Sequence, residues 1–157
     1  MSIKKRILVV ASRTADSPEL MAALRERADG SPVSFTLVVP AVPHGLAWAA
    51  DMKAGWAEAV DRAERAAGRI RQSGLELEET IVGDPDPFAA VGDVLHARGF
   101  DEVVVSVLPR TISRWLALGL PARLRRAFDV PVTQVNASAQ PLGPPLPARG
   151  GETALAA

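Results

Sequence analysis

The sequence predicts an α/β protein built on a single doubly wound, five-stranded parallel sheet, with strand order 3-2-1-4-5 and helices on both faces. Three observations lead to this fold class. Apolar strand-like runs alternate with helical segments, and each helical crossover returns the chain to the same direction. The first and fourth runs are apolar throughout, which places them at the centre of the sheet. The third run alternates apolar and acidic residues, as an edge strand does.

Five segments have the composition of strands. Two of them, "RILVVA" and "DEVVVSV", are continuous apolar runs typical of strands that are covered on both faces. Pro40 ends the second strand, and the apolar residues of "VPVTQV" form the fifth. The predicted strands are residues 6–11, 33–39, 75–82, 101–107 and 130–135.

Helical segments connect these strands. Ser17 is expected to cap the first helix, and Pro18 suits its first turn. The third helix follows the turn at Gly83 and begins near Pro85 or Pro87. The predicted helical segments are 12–28, 56–74, 83–99 and 119–128, each including its entry turn.

The second helix carries its charges at helical spacing. Glu58 precedes Arg62 by four residues and Asp61 precedes Arg65 by four, which supports a solvated outer face. Residues 40–55, before this helix, are expected to form a loop because turn residues occur early in the segment.

Bulk composition limits the class of protein. A chain of 157 residues suffices for one domain with a core, here residues 1–135, and the Pro-, Gly- and Ala-rich stretch 136–157 is expected to be a disordered tail. The 18 basic residues balance 18 acidic ones, so we expect no general attraction to nucleic acid or to membranes. No apolar run reaches the roughly 18 residues of a bilayer span. The absence of cysteine makes a reducing cytoplasm the simplest location.

The predicted strand order creates a crevice at the carboxyl ends of strands 1 and 4, where such sheets bind ligands. Arg13 and Arg110 lie on the loops that flank it and could bind a phosphate or carboxylate. Nearby hydroxyls could add hydrogen bonds or could instead cap helices. The candidate ligand-binding residues are Ala11, Ser12, Arg13, Thr14, Val39, Pro40, Gly83, Ser106, Leu108, Pro109, Arg110, Thr111, Gly119 and Leu120.

Other conspicuous residues have simpler interpretations. Five arginines between residues 107 and 128 also suit a solvated basic helix, and Trp115 suits the core or an interface. Asp84 and Asp86 of "GDPDP" suit a turn and helix cap better than acid–base chemistry. No histidine has a partner at metal-ligand spacing. We therefore predict no metal site and no catalytic residues.

Four stretches, "RILVVASRTADSPEL", "GDPDPFAAVGDVL", "FDEVVVSVLPR" and "DVPVTQV", resemble those of the universal stress protein family. The resemblance covers about residues 5–135. It implies an α/β nucleotide-binding-like fold and a homodimer formed through the last strand, residues 130–135.

The resemblance also bears on ATP. Family members that bind ATP have glycine, two residues, glycine, nine residues, glycine and then serine or threonine after the fourth strand. That register falls here on Ser106, Pro109, Gly119 and Leu120, of which only Gly119 matches. Pro109 has no N–H to donate, and Leu120 has no hydroxyl. Ser12 stands where ATP-binding relatives usually place an aspartate. ATP is therefore disfavoured, and no cofactor is expected.

Three functions follow from these observations. The first is a small cytoplasmic binding or regulatory module like the universal stress proteins, with no enzymatic activity and no ATP. The second is a crevice that binds a nucleotide or small anionic ligand, with slow hydrolysis as a further possibility. The third is a protein-interaction module that acts through the helix around Trp115 or through the tail.

Overall fold

The structure is a computed structural model that describes residues 3–41, 48–108, 115 and 118–137. The strands in these ranges are β1 (Lys5–Val10), β2 (Val33–Pro40), β3 (Glu76–Gly83), β4 (Glu102–Val107) and β5 (Val132–Asn136). The helices are α1 (Pro18–Ala28), α2 (Trp48–Gln72), α3 (Pro87–Ala97) and α4 (Leu120–Ala127).

The five strands form one parallel sheet in the order β3-β2-β1-β4-β5, which confirms the predicted fold class and strand order. β1 lies at the centre, with Val10 opposite Val38 of β2 on one side and opposite Val105 of β4 on the other. α1 leads from β1 to β2 on one side of β1, whereas α3 carries the chain from β3 back to β4 on the other side. The carboxyl ends of β1 and β4 therefore flank the switch point.

Each face of the sheet has its own hydrophobic core. Ile7, Val9 and Phe35 pack beneath α1 and α2, whereas Leu8 and Val10 pack beneath α3 and α4. The alternation of side chains along a strand therefore explains why β1 is apolar at every position. Burying each large apolar side chain contributes roughly 1.5 to 3 kcal/mol.

Two predicted helix starts are confirmed. The Ser17 hydroxyl accepts a hydrogen bond from the Leu20 N–H at 3.2 Å, and Pro18 occupies the first turn of α1. Asp86 caps α3 by accepting from the Phe88 N–H at 3.1 Å, and the Asp84 carboxylate accepts from the Asp86 N–H at 2.8 Å. Both carboxylates of "GDPDP" thus serve the turn and the cap.

The predicted start of the second helix is wrong. Residues 48–55 were expected to belong to a loop, but α2 begins at Trp48 and is 25 residues long. Gly55 lies within this helix. A single interior glycine costs only about 1 kcal/mol, which the alanine-rich sequence and packing on the sheet offset. The segment 42–47 lies outside the described residues.

β5 is the last strand in the described part of the chain. β5 ends at Asn136, and buried Ala137 donates its N–H to the Val107 carbonyl at 2.9 Å. Residues 138–157 of the predicted tail lie outside the described residues. Among the helices that are described, none is both long and apolar enough to cross a bilayer.

Candidate functional site

The loop between β1 and α1, residues 11–17, forms one wall of the predicted crevice. It continues from the sheet through the Ala11 N–H, which donates to the Val38 carbonyl at 3.2 Å. Two turns then fold it: the Ala15 N–H donates to the Ser12 carbonyl at 3.1 Å, and the Ser17 N–H donates to that of Thr14 at 3.0 Å. These bonds hold Ser12 and Thr14 at the carboxyl end of β1.

A hydroxyl joins this loop to β4. Thr14 is buried, and its Oγ1 donates to the Ser106 carbonyl at 3.2 Å. From the sequence, Thr14 could have been either a crevice hydroxyl or a helix cap. In the structure it bridges β1 and β4 at the switch point. The bridge brings together two of the predicted site residues from distant parts of the chain.

The Ser106 side chain is the second polar group at this junction. Ser106 continues the β1–β4 register beside Ala11, and its side chain lies on the same sheet face as Val104, beneath α1 and α2. It is only 1% exposed, and its Oγ has no hydrogen-bond partner in the described part of the chain. A buried hydroxyl without a partner costs about 1 to 3 kcal/mol, so its retention needs an explanation.

Two arginines of α2 contact the same loop. Arg62 places Nη1 3.4 Å from the Ser12 hydroxyl and donates from Nη2 to the Glu58 carboxylate at 2.7 Å. Arg69 donates from Nη1 to the Asp16 carbonyl at 2.7 Å. The loop is therefore held from the side by guanidinium groups.

Sequence reasoning missed this role of α2. The predicted pairs Glu58–Arg62 and Asp61–Arg65 both form. Only Arg65 is the solvated residue that the spacing predicted, since its side chain is 65% exposed and that of Arg62 is 17% exposed. The same four-residue spacing fits both pairs, and only the docking of α2 on the sheet distinguishes them.

The ends of β2 and β3 contribute packing. Val39, Pro40 and Ala41 are buried, and the Ala41 N–H donates to the Gly83 carbonyl at 3.1 Å. A Cβ on Gly83 would lie 2.9 Å from the Ala90 Cβ of α3. Close packing of α3 against β3 therefore accounts for the glycine at position 83.

The residues around the β4–α4 connection are described only in part. Leu108 is partly buried, and Gly119 has φ +65°, the left-handed conformation that favours glycine. Leu120 is buried in the core beneath α3 and α4. Pro109, Arg110 and Thr111 lie outside the described residues.

Two described members of the arginine group, Arg123 and Arg125, have partners within the fold. Arg123 stacks over the Phe88 ring at 4.4 Å, and Arg125 donates to the Val132 carbonyl at 3.0 Å. Trp115 packs against the same core, as expected. Arg13 is exposed on the β1–α1 loop, and Arg110 and Arg114 lie outside the described residues.

His96 contacts the Phe128 ring edge-on at 5.5 Å between ring centres. Within the ranges that the structure describes, no group of three His, Asp or Glu side chains is arranged to hold a metal ion.

Comparisons with known proteins establish the fold. No family model matches the chain, and no curated protein matches it. A universal stress protein family protein from Arabidopsis thaliana, solved with AMP bound, covers 86% of this chain and 93% of its own at a TM-score of 0.59 and 14% identity. A universal stress protein from Archaeoglobus fulgidus covers 83% and 93% at a TM-score of 0.56 and 21% identity. The chain therefore has the fold of the universal stress proteins, as the resemblance implied.

Proposed function

We propose that this chain is a universal-stress-protein-like binding module whose crevice between β1 and β4 takes a nucleoside monophosphate. The observation that carries the proposal is the buried Ser106 hydroxyl, which has no partner in the described chain and lies at the switch point of the sheet. A ligand that hydrogen-bonds to this oxygen would remove the cost of its burial. Thr14 and Ser12 supply further polar groups at the same end of β1.

The preference for a monophosphate over a triphosphate follows from the hydrogen-bond donors that the sequence after β4 lacks. Pro109 contributes no N–H, and Leu120 is buried with no hydroxyl, so the loop after β4 is a poor cradle for a triphosphate. Each missing charge-assisted hydrogen bond costs about 1.5 to 3 kcal/mol. A structure with the same fold carries AMP, which makes a monophosphate the natural first ligand to test.

Native mass spectrometry and isothermal titration calorimetry of the full chain test the proposal. We expect AMP to bind at micromolar to millimolar concentration and magnesium ATP to bind no more tightly than AMP. Tighter binding of magnesium ATP would contradict the preference for a monophosphate. Absence of heat and of any adduct with either nucleotide would contradict the proposal as a whole.

Ser106→Ala tests the proposal because a ligand-binding hydroxyl and a hydroxyl that only packs in the core should respond differently to its removal. Removal of a buried hydroxyl without a partner should leave the free energy of unfolding unchanged or raise it by up to about 1 kcal/mol. Loss of the ligand contact should weaken AMP binding about three- to tenfold. Urea unfolding and calorimetry measure the two effects. A variant that binds AMP as the wild type does would exclude Ser106 from the site.

The same module is proposed to be a cytoplasmic homodimer. The lack of cysteine suits a reducing compartment. β5 lies at one edge of the sheet, where a second copy could pair with it.

A further inference from the structure

We propose that Arg62 of α2 recognises the phosphate group of the ligand and so sets the preference of the crevice for a nucleotide over a nucleoside. This inference rests on the proposed function, because it assigns a residue to the same crevice. It adds a wall of the site that the sequence did not predict.

The exposure of Arg62 separates it from a surface arginine. Arg62 and Arg65 lie on the same helix, and each pairs with an acid four residues earlier. The Arg65 side chain is 65% exposed, whereas that of Arg62 is 17% exposed and is directed at Ser12. A guanidinium that is mostly removed from water, yet still reachable, interacts more strongly with an added anion than one at the surface.

The contacts of Arg62 leave room for an anion. Its Nη1 lies 3.4 Å from the Ser12 hydroxyl, longer than the usual N–H to O distance of about 2.9 Å. Phosphate oxygens would replace this weak contact with charge-assisted hydrogen bonds, which are roughly twice as strong as neutral ones. The Ser12 hydroxyl can then donate to the same phosphate.

Glu58 disfavours an anion at Arg62, so its substitution provides a second test. Its carboxylate accepts from Arg62 Nη2 at 2.7 Å, so it competes with a phosphate for the guanidinium and repels it. Neutralising Glu58 should tighten the binding of a phosphate ligand and leave a neutral ligand unaffected.

The placement also explains how a crevice with a poor β4 loop can hold an anion. Pro109, which follows β4 in the sequence, has no N–H to donate. Arg62 supplies a cation beside Ser12 of the β1–α1 loop, on the other side of the crevice from β4 in our proposal. An arginine fork binds a terminal phosphate through two parallel hydrogen bonds.

The test compares AMP with adenosine by calorimetry, using the full chain. Arg62→Gln should weaken AMP binding about ten- to a hundredfold, as expected for loss of one or two charged hydrogen bonds, and adenosine binding less than about threefold. Glu58→Gln should strengthen AMP binding about two- to fivefold and leave adenosine unchanged. Arg65→Gln is the matched control, and it should bind both ligands as the wild type does.

The outcomes separate this inference from the proposed function. Equal losses of AMP and adenosine in Arg62→Gln would mean that Arg62 only positions the loop, which would overturn the inference. Wild-type AMP binding that Arg62→Gln leaves intact would also overturn it and would leave the proposed function standing. A wild-type protein that binds neither ligand would overturn both.

A second variant keeps the test decisive if Arg62→Gln does not fold. Arg62→Lys retains the charge but not the bidentate fork, so AMP binding should fall about three- to tenfold with adenosine unaffected. An unchanged ratio of the two affinities in Arg62→Lys would count against the inference in the same way.

Discussion

Two glycines among the candidate site residues have different physical reasons for being glycine. Gly119 has φ +65° and nothing near its missing Cβ, so its requirement is purely conformational. Gly83 does not have a positive φ, and a Cβ there would lie 2.9 Å from that of Ala90. Position 83 therefore requires close packing, and position 119 requires backbone freedom. The sequence has the same residue type at both positions.

Substitution at the two positions should distinguish these reasons. Gly83→Ala should lower the free energy of unfolding by roughly 1 to 3 kcal/mol, because α3 must move away from β3. Gly119→Ala should lower it by about 1 to 2 kcal/mol, and Gly119→Asn by less, because asparagine tolerates the left-handed region. Urea denaturation at neutral pH provides the measurement. Wild-type stability in Gly83→Ala would refute the packing argument.

At the scale of elements, a buried carboxylate ties α1, β4 and β5 together at the end of the sheet opposite the crevice. Glu102 begins β4 and is 7% exposed. Arg27 of α1 donates to both of its oxygens at 2.9 Å, and the Thr133 hydroxyl of β5 donates at 3.0 Å. Burial by itself would raise the pKa of Glu102, but the hydrogen bonds from Arg27 and Thr133, with the charges of Arg27 and Lys5, lower it below the ordinary value of 4.5.

This lowered pKa predicts the direction of an acid effect on stability. The folded state holds the Glu102 carboxylate ionised more strongly than the unfolded state does, so its contribution is complete above about pH 5 and is lost as the pH falls through the lower, folded-state pKa. Glu102→Gln should cost roughly 3 kcal/mol at pH 7, since it breaks a buried ion pair. The variant should then lose less than the wild type on acidification. Urea unfolding at pH 7 and at stepwise lower pH measures both quantities.

The matched control is Glu76→Gln, because Glu76 pairs with Lys4 at 2.8 Å but is half-exposed. A surface pair of this kind contributes at most about 1 kcal/mol. Equal destabilisation by the two substitutions would show that Glu102 gains nothing from its buried position.

At the scale of the whole molecule, the two edges of the sheet differ in charge. At the β3 edge, Glu76, Glu78 and Glu79 each pair with a cation from a neighbouring segment. Charges of this kind discourage another strand from pairing. The β5 edge, Val132–Asn136, carries no charged residue. The Val103 N–H donates to the Pro131 carbonyl, and the Ala137 N–H donates to the Val107 carbonyl. Because alternate residues of a strand bond to the same neighbouring strand, the N–H and C=O of Gln134 face away from β4.

We therefore expect a homodimer at micromolar concentration in sedimentation experiments, formed by pairing of β5 with a second copy. Gln134→Pro removes an outward N–H without removing a bond to β4, so it should shift the protein toward monomer with little loss of stability. Thr80→Pro is the control, because it makes the same change on the β3 edge, outside the proposed interface. A wild-type monomer would contradict the expectation.

Much of this molecule was predictable because its signals are local. The central strands were recognisable because both of their faces are apolar, and the edge position of β3 because its acids alternate. Ser17 and Asp86 were predictable as caps because a cap acts within three residues. The start of α2 was not, because the cost of Gly55 is small and packing on the sheet decides whether the helix continues through it.

The candidate site was predictable at the level of strand ends and not of side chains. Ser12, Thr14 and Ser106 were expected near the crevice from the strand order alone, and the structure joins Thr14 to Ser106 directly. Arg62 was not expected there. It follows Glu58 by the same spacing that separates Arg65 from Asp61, and the spacing carries no information about which pair faces the sheet.

The amino-acid order by itself determined the fold class, the strand order and the helix caps, because these depend on periodicity and on contacts between near neighbours. Only the tertiary structure decided that the Ser106 hydroxyl is buried with no partner among the described residues and that Arg62 reaches Ser12. Both depend on how elements far apart in the chain pack against one another. Such contacts depend on three-dimensional distance, which a linear pattern does not encode.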